Sequence, residues 1–288
     1  KYIIILLGDR MKKKKFSLKR VKWKNVILTI ILLLSITTFI YSLKNFINWN
    51  KDNIKSEQII NEINDLNVVT ETNNEETTEI INSEEEKPKS IYWSYIKMNL
   101  INVDFKELKE RNNDTVAWIQ VGGTNINYPV VQTKDNSYYL THSFDKKYTD
   151  AGWVFMDYRN DSNNFGKNTI IYAHARKDRT MFGSLKNILT NDWYKDKNNH
   201  IIKLSTETEN TLWQVFSVYH INTETYYITT SFKSDNDYKD FIKTIKNRTA
   251  LYFNTNVTEK DKILTLSTCY TKKQKVVLHA KLIKVEKR

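Results

Sequence analysis

From Asn25 to Leu43 the chain reads NVILTIILLLSITTFIYSL, nineteen residues without a charge. About 20 apolar residues in a helix are needed to cross the hydrocarbon core of a bilayer, so this run is just long enough to span one. It follows a basic block, MKKKKFSLKRVKWK (Met11–Lys24). An excess of Lys and Arg marks the cytoplasmic flank, which places the N-terminus inside and everything after Leu43 outside. A cleaved signal peptide is the competing reading. Against it, the apolar run is long for a signal sequence, and the chain has no Ala before Ala117 to build an Ala-x-Ala-like cleavage site. We therefore expect a retained single-pass anchor at 25–43 with a basic cytoplasmic segment at 11–24, on a cell membrane. Met11 opens a standard basic-then-apolar anchor, so it is the expected start, with residues 1–10 an upstream artefact of the assigned start; a longer natural N-terminus is the alternative.

The position of the basic block matters for partners. The chain carries a net charge of +12, and nucleic-acid binding is one reading of such a run. Directly before an apolar span it reads as the membrane flank instead, so no nucleic-acid partner is expected. Residues 44–90 read as an acidic stalk or linker. The stretch TETNNEETTEIINSEEEKPKS (Thr70–Ser90) has no aromatic residue and cannot bury enough surface to fold alone. Just before it, Ile59, Ile60, Ile63 and Leu66 recur at helical spacing and predict a short amphipathic helix. The aromatic residues lie mostly further on, so the folded domain is expected over 91–288, a size that supports one core.

Within that domain, VDFKELKERN (Val103–Asn112) suits a helix capped by Asp104. Short strand-like runs then follow: Thr115–Val121, Ile126–Gln132, Gly152–Asp157, Asn168–His174, His200–Ser205, Thr211–Tyr219, Lys262–Thr268 and Lys275–Val285. Many short strands with turns between them argue for a mainly β domain, a sandwich or a barrel. One helix interrupts the late strands. In SDNDYKDFIKTIKN, Ser234 caps, Asp237 completes a capping box, and Tyr238, Phe241, Ile242 and Ile245 form the apolar stripe.

The single cysteine, Cys269, ends the strand-like LTLSTC and precedes a polar loop. One cysteine outside the membrane allows no intramolecular disulfide. A small buried hydrophobe at a strand end is the bland reading. The other is a nucleophile, which needs exposure, a nearby base or cation, and oxyanion donors. Lys272, Lys273 and Lys275 supply cations. A base must come from a histidine brought close by folding. His174, at the end of TIIYAH before the polar ARKDR, is well placed on a rigid strand end. His279 lies mid-strand and reads as packed or on the outer face; His142, His200 and His220 read as surface or structural. No His, Cys and carboxylate spacing suggests a metal site, and no Gly-rich phosphate loop is present, so neither metal nor cofactor is expected.

Taken in order, YPVVQTKDNSYYL (Tyr128–Leu140), GWVFMDYRN (Gly152–Asn160), NTIIYAH followed by MFGSL, the helix at Ser234–Asn247, LTLSTC and VVLHAKLIKV resemble a class B sortase over about residues 91–285. The resemblance implies an eight-stranded β-barrel with N-terminal helices and one helix between late strands. It implies a membrane-tethered Gram-positive transpeptidase that cleaves a C-terminal sorting signal of the Asn-Pro-x-Thr type after Thr. The new carboxyl end then passes, through a thioacyl intermediate, to an amine of the peptidoglycan cross-bridge or its precursor, or of a pilin. Cys269 matches the family nucleophile and His174 its general acid/base. Leu140, Thr223, Tyr227, Ile228 and Ser267 match positions that line the peptide groove; ordinary strand and loop packing is their alternative reading.

The sequence departs from the family at one point. The family's essential arginine, on the final strand beyond the cysteine loop, aligns with Lys275, and that loop is shorter here. Lysine keeps the charge but lacks the planar fork of donors. Three readings remain open: Lys275 serves in a slower enzyme, Arg176 or Arg179 reaches in, or the domain is a degenerate sortase that binds sorting peptides or cell-wall fragments. A cysteine hydrolase releasing the same peptides would use the same residues.

Overall fold

The computed structural model describes residues 22–72, 76–81 and 91–288. The proposed upstream artefact, most of the basic segment and part of the acidic stretch lie outside the described residues. The chain divides into two compact units, one up to Asn50 and one from Lys51 to Arg288. In the first, the uncharged run lies on helix α1 (Trp23–Asp65), which is long and apolar enough to cross a membrane. Its side chains from Ile27 to Ile47 are exposed.

The second unit is built on a closed barrel. Its strands are β4 (Thr115–Val121), β5 (Asn127–Val131), β6 (Phe155–Met156), β7 (Asn168–Tyr172), β8 (Ile201–Thr206), β9 (Glu209–Asn222), β10 (Ile263–Cys269) and β11 (Gln274–Lys287). They neighbour one another in the order β10-β7-β6-β5-β4-β8-β9-β11, and pairing of β10 with β11 closes the ring of eight. Closure removes the open edges that would otherwise need protection. β5–β6 and β7–β10 are parallel pairs; the others are antiparallel.

The period-two geometry of a strand sorts its side chains onto two faces. In β10, Leu264 and Leu266 join the main barrel core around Trp118, Trp153 and Trp213. Ile263 points the other way, into a second cluster with Val277 of β11 and the stripe Tyr238, Phe241, Ile242 and Ile245. That stripe belongs to α5 (Asp235–Asn247), whose Ser234 side chain accepts from the Asp237 backbone N–H, the cap anticipated from the sequence. Both faces of β9, β10 and β11 are therefore covered, which is why their burial is nearly continuous.

Several elements differ from expectation. GWVFMD contributes only Phe155–Met156 as strand, because Gly152 takes a left-handed φ of +60° and the chain before Phe155 runs as loop. The helix expected at Val103–Asn112 is shorter: Val103 ends strand β3 (Leu100–Val103), and α3 spans Lys106–Arg111 with Phe105, not Asp104, as its N-cap, while the Asp104 carboxylate accepts from the Lys106 N–H. In the span read as stalk, β1 (Val69–Thr72) pairs with β3, and β2 (Thr78–Ile80) pairs with β11. These pairings rest on main-chain hydrogen bonds, which polar side chains do not prevent. Ile63 is buried in the core, with Ile59, Ile60 and Leu66 packed against it, so the helical stripe seen in the sequence docks on the barrel. Helix α2 (Tyr92–Ile96) buries Tyr92 and Tyr95 against Leu100, Ile201, Leu212 and Ile283. The remaining helix, α4 (Asn191–Lys195), is one short turn capped by Thr190.

Candidate active site

Three neighbouring strands deliver the candidate residues to one place. In β10, Ile263, Thr265, Ser267 and Cys269 share the face turned toward α5, by the period of two. In β11, Lys275, Val277 and His279 share the same face, since Lys275 is the direct cross-strand partner of Cys269 and Val277 that of Ser267. In β7, Tyr172 is the parallel partner of Ser267, and His174 lies two residues further on, as Cys269 does beyond Ser267. His174 and Cys269 thus lie at or just past the ends of two adjacent, parallel-paired strands, each two residues beyond the last ladder pair, Tyr172 with Ser267. The Thr268 hydroxyl donates to the Ala173 carbonyl at 2.7 Å, holding the two strand ends together past their last ladder pair.

The β10–β11 turn fixes Lys275. Tyr270 N–H donates to the Gln274 carbonyl at 2.8 Å, closing the turn after Cys269. Cys269 and Lys275 are the first pair inside it, and directly opposed residues keep their side chains together. Lys275 Nζ lies 3.1 Å from Cys269 Sγ, and both residues are partly exposed. Among the described residues this is the hydrogen-bonding cation on the thiol. Arg176 is bound to Asp178 and Asn53, and Arg179 to Asn187, so neither makes that contact.

His174 is oriented from the other side. Its Nε2 lies 2.8 Å from the carbonyl of Leu140. A carbonyl only accepts, so Nε2 carries the proton in the neutral ring and Nδ1 is left to exchange one. The ring also rests on Gly152. A Cβ there would come within 2.5 Å of the Tyr139 carbonyl and 3.0 Å of His174 Cδ2, so a glycine is required both for the left-handed backbone and for room beside the imidazole.

The other predicted residues surround this pair to different degrees. Ser267 Oγ and Tyr227 Oη share a hydrogen bond of 3.0 Å, beneath the Cys269 end of the face. Burial pushes the Tyr227 phenol above its ordinary value, with the Ser267 hydrogen bond and the Lys275 charge opposing. Thr223 binds the Lys273 carbonyl through N–H and hydroxyl, tying the end of β9 to the β10–β11 turn. Leu140 is exposed and acts on His174 through its carbonyl. Ile228 is partly buried against the α5 cluster. Its carbonyl accepts from Arg159 Nη2 at 3.0 Å.

That last contact belongs to a group the sequence reading did not single out. Asp157 is fully buried, and its carboxylate receives Arg159 Nε and Nη2 at 2.8 and 2.7 Å, Tyr172 Oη at 2.9 Å and Asn136 Nδ2 at 2.9 Å. Burial alone would raise its pKa; the Arg159 pair and the Tyr172 hydroxyl outweigh it and hold the carboxyl below its ordinary range. Asn168 donates to the carbonyls of Tyr227 and Thr229 and accepts from Thr265, which also meets His279 Nδ1. His279 Nε2 contacts Tyr219 Oη. The turn at Tyr226–Ile228 is thus fastened to β7, β10 and β11 from below. Both Gly152 and Arg159 lie in GWVFMDYRN, but their roles depend on contacts far away in sequence.

The other histidines are spoken for. His279 is completely buried and pushed down to about 3 by desolvation. His200 is buried among Trp193, Tyr194 and Phe253 and pushed down to about 4, chiefly by desolvation. His142 stacks on Tyr138, and His220 on Tyr270. Among the described residues no group of three His, Cys, Asp or Glu could hold a metal ion.

Comparison with known proteins agrees with this architecture. The sortase-domain family profile matches residues 119–283. Sortase B of Staphylococcus aureus (strain NCTC 8325 / PS 47) is 39% identical over 189 residues, 64% of this chain and 77% of that protein. Sortase B of Listeria monocytogenes serovar 1/2a is 36% identical over 184 residues, 62% of this chain and 74% of that protein. A solved Staphylococcus aureus sortase B–substrate complex superposes with a TM-score of 0.59 at 39% identity, covering 62% of this chain and 84% of that one. An eight-stranded closed barrel with these relatives defines a cysteine transpeptidase. The chain belongs to the sortase family, and within it to class B.

Proposed function

We propose that this chain is a membrane-anchored sortase that cleaves a C-terminal sorting signal of the Asn-Pro-x-Thr type after Thr. It passes the acyl group to an amine of peptidoglycan or of a pilin. In this reading 25–43 is the anchor, the N-terminus is cytoplasmic, and the barrel works outside a Gram-positive membrane. The observation that carries it is the Lys275 Nζ contact to Cys269 Sγ at 3.1 Å, at the end of a strand paired with the one that leads to His174.

The chemistry follows from these groups. The sulfur of Cys269, with Lys275 Nζ against it, attacks the scissile carbonyl. Charge developing on the carbonyl oxygen is met by the same ammonium, the role of an oxyanion donor. His174, protonated at Nδ1, delivers that proton to the departing amine, and the acyl group stays on sulfur as a thioester. An incoming amine then attacks, giving its proton back to Nδ1. Leu140 and Gly152 keep the imidazole from rotating. Leu140, Thr223 and Ile228 reach the surface where the signal peptide would lie, and buried Tyr227 and Ser267 would support them from below.

The test is intact-mass spectrometry of the full chain in detergent micelles with an Asn-Pro-x-Thr peptide, with and without an added amine. The expected result is an acyl adduct on Cys269 that amine clears to a ligated product, and that Cys269→Ala abolishes. Turnover of the peptide by Cys269→Ala at the parent rate would sink the proposal. A hydrolysed product even at high amine concentration would make the chain a hydrolase instead.

A further inference from the structure

We infer that Lys275 is an internal acyl acceptor: its ε-amine takes the acyl group from the Cys269 thioester when no external amine arrives, capping the enzyme with an isopeptide bond. The inference rests on the thioacyl intermediate proposed above. It starts from one distance. Lys275 Nζ stands 3.1 Å from Cys269 Sγ. The acyl carbon of a thioester lies one covalent bond from that sulfur. A primary amine hydrogen-bonded to Sγ is therefore at or near the roughly 3–3.5 Å separation of a near-attack arrangement.

Three features keep the amine there. Cys269 and Lys275 are cross-strand partners on paired strands, so their backbones do not drift apart. The hydrogen bond of Nζ is to the sulfur itself, and among the described residues no carboxylate pairs with it. The four-carbon stem can swing the amine through the short arc from sulfur to acyl carbon. Neighbouring lysines are placed differently. Lys186 Nζ is bound to the Tyr270 carbonyl at 3.1 Å and sits over the Tyr270 ring, while Lys272 and Lys273 are exposed on the turn.

The step balances without a co-reactant. The neutral amine attacks the thioester carbonyl, forming a C–N bond. The C–Sγ bond breaks and its electron pair leaves on Sγ. The proton released from nitrogen passes to that thiolate or to His174. The products are a free Cys269 and an amide at Lys275, and a thioester is less stable than an amide. Reaction within one molecule reaches effective concentrations of about 10⁵ M or more when the geometry is right, far above any external amine. What restrains it is protonation, since only the uncharged amine attacks. Capping removes the cation beside the thiol and leaves a peptide in the groove, so it ends turnover. The supply of acceptor amine would then set how many cycles each enzyme completes.

The experiment uses the full chain in detergent micelles with an Asn-Pro-x-Thr peptide and no amine, at pH 7 to 9 over hours. Peptide is removed, neutral hydroxylamine is added to strip thioesters, and the protein is weighed and mapped with trypsin. The expected result is a mass gain that survives hydroxylamine, with trypsin no longer cutting after Lys275. Its yield should rise with pH and fall when excess amine is present from the start. Lys275→Arg, whose guanidinium stays protonated, should carry only a hydroxylamine-labile adduct. An adduct that is entirely labile, a stable one mapped to Lys186, Lys272 or Lys273, or a stable one in Lys275→Arg would overturn the inference while leaving the thioacyl reading intact. Absence of any adduct, labile or stable, would remove both. The map of the parent protein decides the matter even where the variant acylates slowly.

Discussion

Replacing Lys275 with Met tests how much of the site's reactivity comes from one cation. Methionine fills much of the same volume and removes the charge. Two contributions are lost. The first is the ammonium–sulfur contact at 3.1 Å. Hydrogen bonds involving a charged group contribute about 1.5–3 kcal/mol, roughly 10- to 150-fold in a rate or equilibrium that depends on them. The second, in the proposed mechanism, is the donor to the developing oxyanion, and removing such a donor typically slows a reaction by roughly 10²–10³-fold. They involve the same nitrogen and cannot simply be multiplied, and the partial exposure of Lys275 lets water replace some of each. We expect acylation to slow about 100-fold. Two assays separate the contributions. Single-turnover cleavage of a labelled Asn-Pro-x-Thr peptide reads both, whereas alkylation of Cys269 by iodoacetamide near neutral pH reads the reactivity of the sulfur alone. The alkylation rate should fall about tenfold or more, while Lys275→Arg should keep it near the parent value. If Lys275→Met, folded by circular dichroism, cleaves and alkylates within about threefold of the parent, well inside these magnitudes, then the contact has no chemical role.

Gly152→Ala forces a side chain onto a φ of +60° and a Cβ to within 2.5 Å of the Tyr139 carbonyl. We expect about 1–3 kcal/mol lost in thermal unfolding and a lower kcat as His174 is pushed aside; an unchanged melting temperature would refute the steric argument. Arg159→Met frees the Ile228 carbonyl and strands buried Asp157. The expected cost is about 2–3 kcal/mol, less than a fully buried pair because Arg159 is partly exposed, and peptide KM should rise more than kcat falls. Equal losses in both would contradict a role at the groove wall. For pH, His279 titrates near 6.5 when unfolded and near 3 when folded. Its contribution is complete above 6.5 and lost as pH falls toward 3, at about 1.4 kcal/mol per unit. His279→Gln should flatten urea midpoints measured between pH 7 and 4.5, though His200, shifted the same way, leaves a residual slope. An unaltered slope would show that His279 is not the group responsible.

How much of this was legible in the sequence depended on which force builds each part. Runs such as TVAWIQV and ILTLSTC announce themselves because burial imposes β-branched and aromatic residues on both faces, and Thr115–Val121 is β4 to the residue. The stripe of α5 was equally plain, since a single amphipathic period carries it. β1 and β2 were not: they are held by main-chain bonds at the margins, and an acidic, Thr-rich segment gives no apolar signal. GWVFMD misled in the opposite direction. Trp153, Val154 and Met156 are buried as a strand's residues would be, yet a glycine at positive φ starts them in loop. At the site, Cys269 and His174 stood out by residue type and motif. The Asp157–Arg159 group did not, because a buried carboxylate in MDYRN looks like any turn residue until its partners Tyr172, Asn136 and the Ile228 carbonyl are brought in by the fold.

Lys275 is the instructive middle case, legible as a residue and illegible as a contact. Sequence alignment places it, but only the register of β10 against β11 makes it the partner of Cys269, and that register has several independent guards. The Tyr270–Gln274 bond closes the turn so that Cys269 and Lys275 come first inside it. On the other side of β10, Thr265 is bonded to Asn168 and Thr268 to the Ala173 carbonyl, locking the strand against β7. A one-residue slip would reverse the faces, sending the thiol into the barrel and Leu264 and Leu266 toward polar Asn168 and His279. Such a slip would bury apolar side chains against unsatisfied polar groups, so core packing enforces the register that chemistry needs. The same rigidity has a consequence for function. In the proposed mechanism Cys269 carries a thioester, and the register that pairs it with Lys275 keeps that amine beside the acyl group, so the proposed nucleophile and the proposed competing acceptor are one cross-strand pair.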